Sequence, residues 1–276
     1  MRARDNVAVR WTIGDVSARG FEALRLSAWG AYHLFGESAR YVVCCNNLSL
    51  AEARSKAGSL PESVTWHDAT GDLPSWIQPF FEMGMAEGVG WKFAPLRLFP
   101  DRYELSLDND CILWDLPEAV SSWLDDPASR RCVLAEDVRP AFGQFAEFCG
   151  DEPRNSGIRG LSPGFDLEAA LRAMLERKAA ALEGPVLLTS ELDEQGLQVA
   201  ALLSEGEVQT VGIDDVAICS PFWPHRPELG RCGAHFVGLN ARHISWNYYD
   251  RPADDWMRDH WARHREELYR KTGTPV

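Results

Sequence analysis

The sequence predicts an α/β fold built around a mixed, mostly parallel sheet. Three features at the start of the chain predict it: an apolar strand, a helix, and a second apolar strand. Val7, Val9, Trp11 and Ile13 alternate with other residues, which is the period of a strand, and Gly14-Asp15 ends it. Phe21, Leu24, Ala28, Ala31 and Phe35 recur at helical spacing, so a helix is predicted over 20–35. Tyr41 to Cys45 is a short apolar strand that stops at the turn-forming pair Asn46-Asn47. Val64 to His67 is a third candidate strand.

In the middle of the chain, Tyr103 to Leu107 alternates and Cys111 to Trp114 is apolar, with the polar triplet Asp108-Asn109-Asp110 between them. Pro117 opens a helix to Leu124, because proline suits the first helical position. Asp166 caps a helix to about Leu182, where Gly184-Pro185 stops it. Val186 to Leu188 is predicted as a strand. Ser190-x-x-Asp193 resembles a capping box for a helix to about Leu203. A last helix is predicted from about Asp254 to Arg270. Its acidic and basic residues balance, so packing on the domain is expected rather than binding to a membrane surface. No repeat and no linker interrupts the pattern, so residues 1–276 are expected to form one domain.

Composition narrows the function. The chain has 276 residues and is 45% hydrophobic, enough to bury a full core without disulfides. Lys and Arg total 28 against 41 Asp and Glu, a net charge of −13. That field repels phosphate backbones and argues against nucleic acid as a partner. It leaves room for a small anion held locally through a divalent cation. The seven cysteines are an odd number with no C-x-x-C, which fits reduced, buried thiols in a reducing compartment. No segment reaches 18 apolar residues and the N-terminus carries charges. No membrane span and a cytoplasmic location are therefore expected. The eleven tryptophans are expected mainly in the core, although their ring faces also suit the apolar face of a sugar.

Several signatures are missing: the P-loop, the H-E-x-x-H helix, and a G-x-G-x-x-G after the first strand. Gly160 to Gly164 matches G-x-S-x-G literally. A nucleophile elbow needs the N–H of the residue after the serine, and Pro163 has none.

The triplet Asp108-Asn109-Asp110 carries the most information. It places two carboxylates at the end of a strand, where α/β sheets hold their ligands. Such hard oxygen donors suit Mg²⁺ or Mn²⁺, and those ions bind diphosphates. An Asx turn between two strands is the alternative.

Leu105 to Leu113 resembles the strand and DxD motif of GT-A glycosyltransferases, which use nucleotide-sugar donors. Asn155-Ser156-Gly157-Ile158 is similar to the strand that follows this motif, and Leu192 to Gln195 to the segment opening a later helix. His235-Phe-Val-Gly238, with Arg242 and Trp246, resembles the H-x-x-G-x-x-K-P-W motif of glycosyltransferase family 8. Ala241 stands where that motif has lysine, and no proline precedes Trp246. The resemblance runs from about residue 7 to residue 246.

This resemblance implies a metal-dependent transfer of a sugar from a nucleoside diphosphate sugar, UDP-linked, to an unidentified acceptor. It implies Asp108, Asp110 and His235 as metal ligands, with Mn²⁺ favoured over Mg²⁺ if the imidazole binds. Asp15, Lys92, Arg97, Asn109, Gly238 and Arg242 are implied on the donor. Asp193, Glu194 and Gln195 are implied beside the reacting groups. Pro221 to Pro224, Trp246 and Tyr248 are candidates for an acceptor surface. A sugar-phosphate nucleotidyltransferase and a non-catalytic nucleotide-sugar binder stay open as alternatives.

Overall fold

The computed structural model describes residues 6–81, 89–126, 131–182, 184–219, 226–240, 247–248 and 251–275. The elements, in chain order, are β1 (Val7–Ile13), α1 (Ala18–Phe35), β2 (Arg40–Cys45), α2 (Leu50–Ala57), β3 (Val64–Asp68), β4 (Tyr103–Asp108), β5 (Cys111–Leu113) and α3 (Glu118–Asp125). There follow β6 (Cys132–Glu136), the single turn α4 (Ala146–Cys149), β7 (Arg154–Leu161), α5 (Leu167–Leu182), α6 (Glu191–Ser204), β8 (Val208–Val211), β9 (Val216–Ile218) and β10 (Gly233–His235). The chain ends with β11 (Asn247–Tyr248), β12 (Arg251–Pro252) and α7 (Ala253–Thr272).

Seven strands form the main sheet in the order β3-β2-β1-β4-β7-β6-β8. The first four are mutually parallel, β7 is antiparallel to both its neighbours, and β6 and β8 pair in parallel. The expected mixed, mostly parallel sheet is therefore present. The chain runs outward from β1 to β3 and then returns to the other side of β1 as β4. That reversal leaves a crevice at the C-terminal ends of β1 and β4. A smaller sheet, β5-β10-β9, continues from β4 through the turn at 109–110.

The alternation in β1 has a direct structural meaning. Val7, Val9, Trp11 and Ile13 join one core cluster with Phe21, Leu24 and Ala28 of α1. The Trp11 indole N–H donates to the Ser27 hydroxyl (2.9 Å), which donates to the Cys111 carbonyl (2.6 Å). One chain of bonds thus fastens the central strand, the first helix and β5, and truncating Trp11 to Ala would cost roughly 3–5 kcal/mol. On the opposite face, buried Arg10 lies 3.6 Å from buried Glu104 and donates to the Pro95 carbonyl (2.7 Å).

Ser17 caps α1 by accepting from the Gly20 N–H (3.0 Å), and Ser190 caps α6 by accepting from the Asp193 N–H (3.3 Å). Asp166 accepts from the Ala169 N–H (3.0 Å), as its predicted capping role requires. Pro117 is the residue before α3 rather than its first helical residue. Helix α2, the turn α4 and strands β6, β8, β9, β10, β11 and β12 have no counterpart among the predicted elements. The predicted strand at 186–188 is reduced to a single bridge, Leu188 to Phe81, because it meets a turn segment outside the named strands rather than a strand edge. Ser162 of the G-x-S-x-G match is buried, donating to the Arg131 carbonyl (2.7 Å) and accepting from the Trp123 indole (2.9 Å). All seven cysteines are free and buried. Among the described residues, no helix is long and apolar enough to cross a membrane.

Candidate functional site

The turn between β4 and β5 creates the site because it joins the two sheets. Asp108 ends β4, whose Leu107 pairs with Ile158 of β7. Cys111 opens β5 and pairs with His235 of β10. The Phe236 N–H donates to the Asp110 carbonyl (2.9 Å), which holds His235 beside the turn. As a result one oxygen or nitrogen from each of Asp108, Asp110 and His235 lies within 4.8 Å of the others. The His235 Nε2 is 3.4 Å from Asp110 and 3.6 Å from Asp108. Burial alone would depress the His235 pKa, but the Asp110 hydrogen bond and the two carboxylate charges raise it.

Asn109 performs a different task from its neighbours. Its side-chain amide donates to the Gly20 carbonyl (3.0 Å) and to the Asn240 side-chain oxygen (2.6 Å). Asn240 donates back to Asn109 (3.0 Å) and to Asp110 (3.2 Å). Asn109 is a buried lock on the turn, and its two acidic neighbours are left to face the cleft.

Lys92 stands beside this cluster. Its ammonium donates to Asp108 (3.0 Å) and to the Ser156 hydroxyl (3.0 Å), and lies 3.8 Å from Glu194. Burial acts to lower its pKa, but the Asp108 and Glu194 charges raise it and keep it a cation. Glu194, with a side chain only 5% exposed, has its pKa pushed up to about 7. Burial is the largest cause and the Asp108 charge adds to it, against Lys92 and Arg159. Gln198 donates to Glu194 and in turn accepts from buried Arg159, so the carboxylate is held from behind.

Asp193, next to it on α6, points away. Its oxygens accept from the Gln144 N–H (2.9 Å) and from the N–H and hydroxyl of Thr189 (2.9 and 3.0 Å). These bonds overcome the effect of burial and lower its pKa, so Asp193 closes the start of α6. Gln195 lines the cleft and donates to the Ala141 carbonyl (2.8 Å).

The remaining predicted donor residues are spread more widely. Gly238, with a positive φ of 89°, lines the same cleft. Asp15 lies at the end of β1, paired with Lys56 (2.9 Å) beside a second hollow lined by Val16, Arg19 and Phe21. Arg97 is not at the cleft. Its guanidinium donates to the carbonyls of Phe165 (2.6 Å), Arg102 (2.9 Å) and Ser162 (2.9 Å), and so fastens loops behind the sheet. Arg242, Trp246 and Pro221 to Pro224 lie outside the described residues, as does the side chain of Tyr248.

The cleft encloses about 440 Å³ and is lined by residues from both sheets and from α6, a size that suits a small molecule. Asp137, Arg139 and Asn240 line it but were not among the residues singled out from the sequence. Asp137 and Arg139 follow β6, an unpredicted strand, so nothing local marked the segment after it. The apolar run Cys132 to Ala135 was the available signal.

Solved structures share this architecture. The galactosyltransferase LgtC, in complex with donor and acceptor sugar analogues, is similar at a TM-score of 0.53 and 14% identity, over 98% of this chain and 97% of that one. Mouse xyloside xylosyltransferase 1 in its apo form gives a TM-score of 0.56 at 14% identity, over 85% and 98% of the two chains. The bifunctional glycosyltransferase WbbM gives 0.52 at 16% identity, over 96% of this chain and 51% of that one. The chain therefore has the GT-A glycosyltransferase fold expected from the sequence. No protein-family model and no curated protein matches it.

Proposed function

We propose that this GT-A-fold chain, acting as one catalytic unit, transfers a sugar from a nucleoside diphosphate sugar to an acceptor hydroxyl. The observation that carries the reading is the convergence of Asp108, Asp110 and His235 at the strand ends, with Lys92 and Glu194 on the same cleft. The donor set fits a divalent ion: two hard carboxylates and one imidazole, the combination that favours Mn²⁺ over Mg²⁺. Asp108, Asp110 and His235 would hold that ion. When bound it would offset the negative charge that a diphosphate gains as the glycosidic bond breaks.

The chain's own groups account for the rest. Lys92 stays charged beside Asp108 and offers a second cation to the donor. Ser156 offers its hydroxyl from β7, which lies antiparallel to β4, while the Asn155 amide is held on the Glu136 carbonyl (2.9 Å) and the Gly157 N–H (2.9 Å). Glu194 and Gln195, in the first turns of α6, line the same cleft, and Glu194 lies 3.8 Å from Lys92. A carboxyl with a pKa of about 7 exchanges its proton readily near neutrality, which suits it to orient or deprotonate an acceptor hydroxyl. Arg242 is assigned to the leaving diphosphate on the strength of the sequence resemblance alone.

A thermal-shift panel tests the reading: UDP, GDP, ADP, CMP and UDP-sugars, each with Mn²⁺, Mg²⁺ or chelator. Ligand at a hundred times Kd adds about 2.7 kcal/mol. For a chain of this size that is a rise in Tm of roughly 5–10 °C. A Mn²⁺-dependent rise with one nucleoside diphosphate, followed by release of that nucleotide from its sugar conjugate, is expected. No rise with any nucleotide overturns the reading. Binding without release under any acceptor would leave a nucleotide-sugar binder.

A further inference from the structure

A second cluster of metal-ligating side chains lies outside the cleft. Cys219, just after β9, meets His260 and His264 of α7, and one ligand atom from each lies within 4.8 Å of the others. The Cys219 sulfur is 3.2 Å from His260 Nε2. All three residues are buried, at 0%, 4% and 5% exposure. We propose that Cys219, His260 and His264 form a second metal site, which takes a zinc ion.

Spacing, geometry and chemistry all support this site. His260 and His264 are four residues apart on one helix, so both rings leave the same face, and H-x₃-H is a spacing zinc sites use. Zinc ligands in a tetrahedron lie about 3.3–3.7 Å apart, from bond lengths of about 2.0–2.3 Å. The Cys219–His260 separation is already close to that range. The Nε2 of His264 donates to the Pro227 carbonyl (2.8 Å), and an imidazole donating there keeps its lone pair on Nδ1. A backbone carbonyl on the second nitrogen is the usual support of a metal-bound histidine.

The two clusters differ in kind. Two carboxylates and an imidazole suit a hard or intermediate ion, whereas a thiolate with two imidazoles suits zinc or copper, and the H-x₃-H spacing on one helix favours zinc of the two. On binding, the Cys219 thiol would give up its proton to solvent as the sulfur–zinc bond forms, and the two imidazoles would supply the nitrogen ligands. The neighbouring groups include the Arg263 and Glu228 charges and the Phe236 ring, which packs on both histidines.

The site would also support the cleft. The Cys219 N–H donates to the carbonyl of His235 (2.8 Å), and Phe236 is the next residue in the chain. An ion holding Cys219 to α7 would fix the backbone on which His235 is carried.

The test uses the whole chain, purified without chelator, and measures metal content. About one zinc per chain is expected, retained in Asp108→Asn/Asp110→Asn and lost in Cys219→Ser. Replacement of the zinc by cobalt(II) in the wild type should give a thiolate-to-cobalt charge-transfer band. That spectrum decides the matter even if Cys219→Ser does not fold. A wild-type chain that binds neither metal, zinc that survives Cys219→Ser, or cobalt bound without the band each overturns the proposal. None of these readouts depends on the cleft's activity, so failure here leaves the transferase reading standing.

Discussion

Gly157 lies against the imidazole of His235: a Cβ built on it would come within 2.7 Å of the ring's Nδ1. The glycine of β7 is thus a condition for the position of a residue 78 positions later, carried on a different sheet. Gly157→Ala should displace the ring while leaving β7 paired. The expected outcome is at least a tenfold loss of metal-dependent donor turnover with a fall in Tm of only a few degrees. Parallel assays of turnover and thermal melting check it. Unchanged turnover would show that the ring's position does not matter to the cleft.

Asp108 and Asp110 should be needed for activity and dispensable for the fold. Asp108→Asn keeps the side chain's size at a partly exposed position. Loss of a charged ligand typically costs about 3 kcal/mol or more, so turnover is expected to fall at least a hundredfold. The Mn²⁺-dependent rise in Tm on adding nucleotide should vanish, while the chelated protein melts within a few degrees of the wild type. Full activity in the variant would sink the metal assignment.

Glu194 sets a slope of stability with pH. Its carboxyl ionises near 4.5 in the unfolded chain and near 7 in the folded one. Between those values the folded state holds more protons, so stability falls as pH rises through that window and levels off above it. The span corresponds to a contribution on the order of 3 kcal/mol. Chelated Glu194→Gln should lack this slope, gaining on the wild type at pH 8 relative to pH 5. Urea unfolding at the two pH values measures it, and equal slopes in both proteins would remove Glu194 as the cause.

Arg97 and Lys92 should separate stability from donor binding. Arg97 is spent on the backbone carbonyls of Phe165, Arg102, Leu161 and Ser162, so Arg97→Met is expected to cost roughly 2–3 kcal/mol with the donor KM unchanged. Lys92→Met should instead raise the donor KM by tenfold or more. Steady-state kinetics alongside urea melts distinguish the two, and the reverse pattern would place Arg97 at the donor.

The Glu104 carboxylate anchors the sheet's polar interior. It accepts from the Leu98 and Phe99 N–H groups (2.9 and 2.6 Å) and faces buried Arg10. Glu104→Ala would leave that guanidinium uncompensated, at a cost of about 3–5 kcal/mol. A urea midpoint shifted by less than 1 kcal/mol equivalent would show that water replaces the carboxylate.

The strands of the first half were legible because their apolar residues repeat every second position or run unbroken. Both patterns follow from burial against helices. The Asp108-Asn109-Asp110 turn was legible for the same reason, being polar between two apolar stretches. Strand β6 was missed because Cys132 to Ala135 follows residues with no clear start signal, and its pairing with β7 and β8 is entirely long-range. The short apolar run at 186–188 misled in the other direction, since an apolar run needs an available strand edge to become a strand.

Local patterns in the sequence determined the class of fold, the caps of α5 and α6, the buried cysteines, and the acidic turn as the place to look. Only the tertiary structure decided which members of each motif face the cleft. Asn109 and Asp193 each sit beside a cleft residue in the chain and turn the other way, to satisfy buried backbone and side-chain groups. Likewise, only the fold brought Cys219 to His260 and His264. A side chain's direction is set by the partners its neighbours leave unpaired, and those partners come from distant parts of the chain.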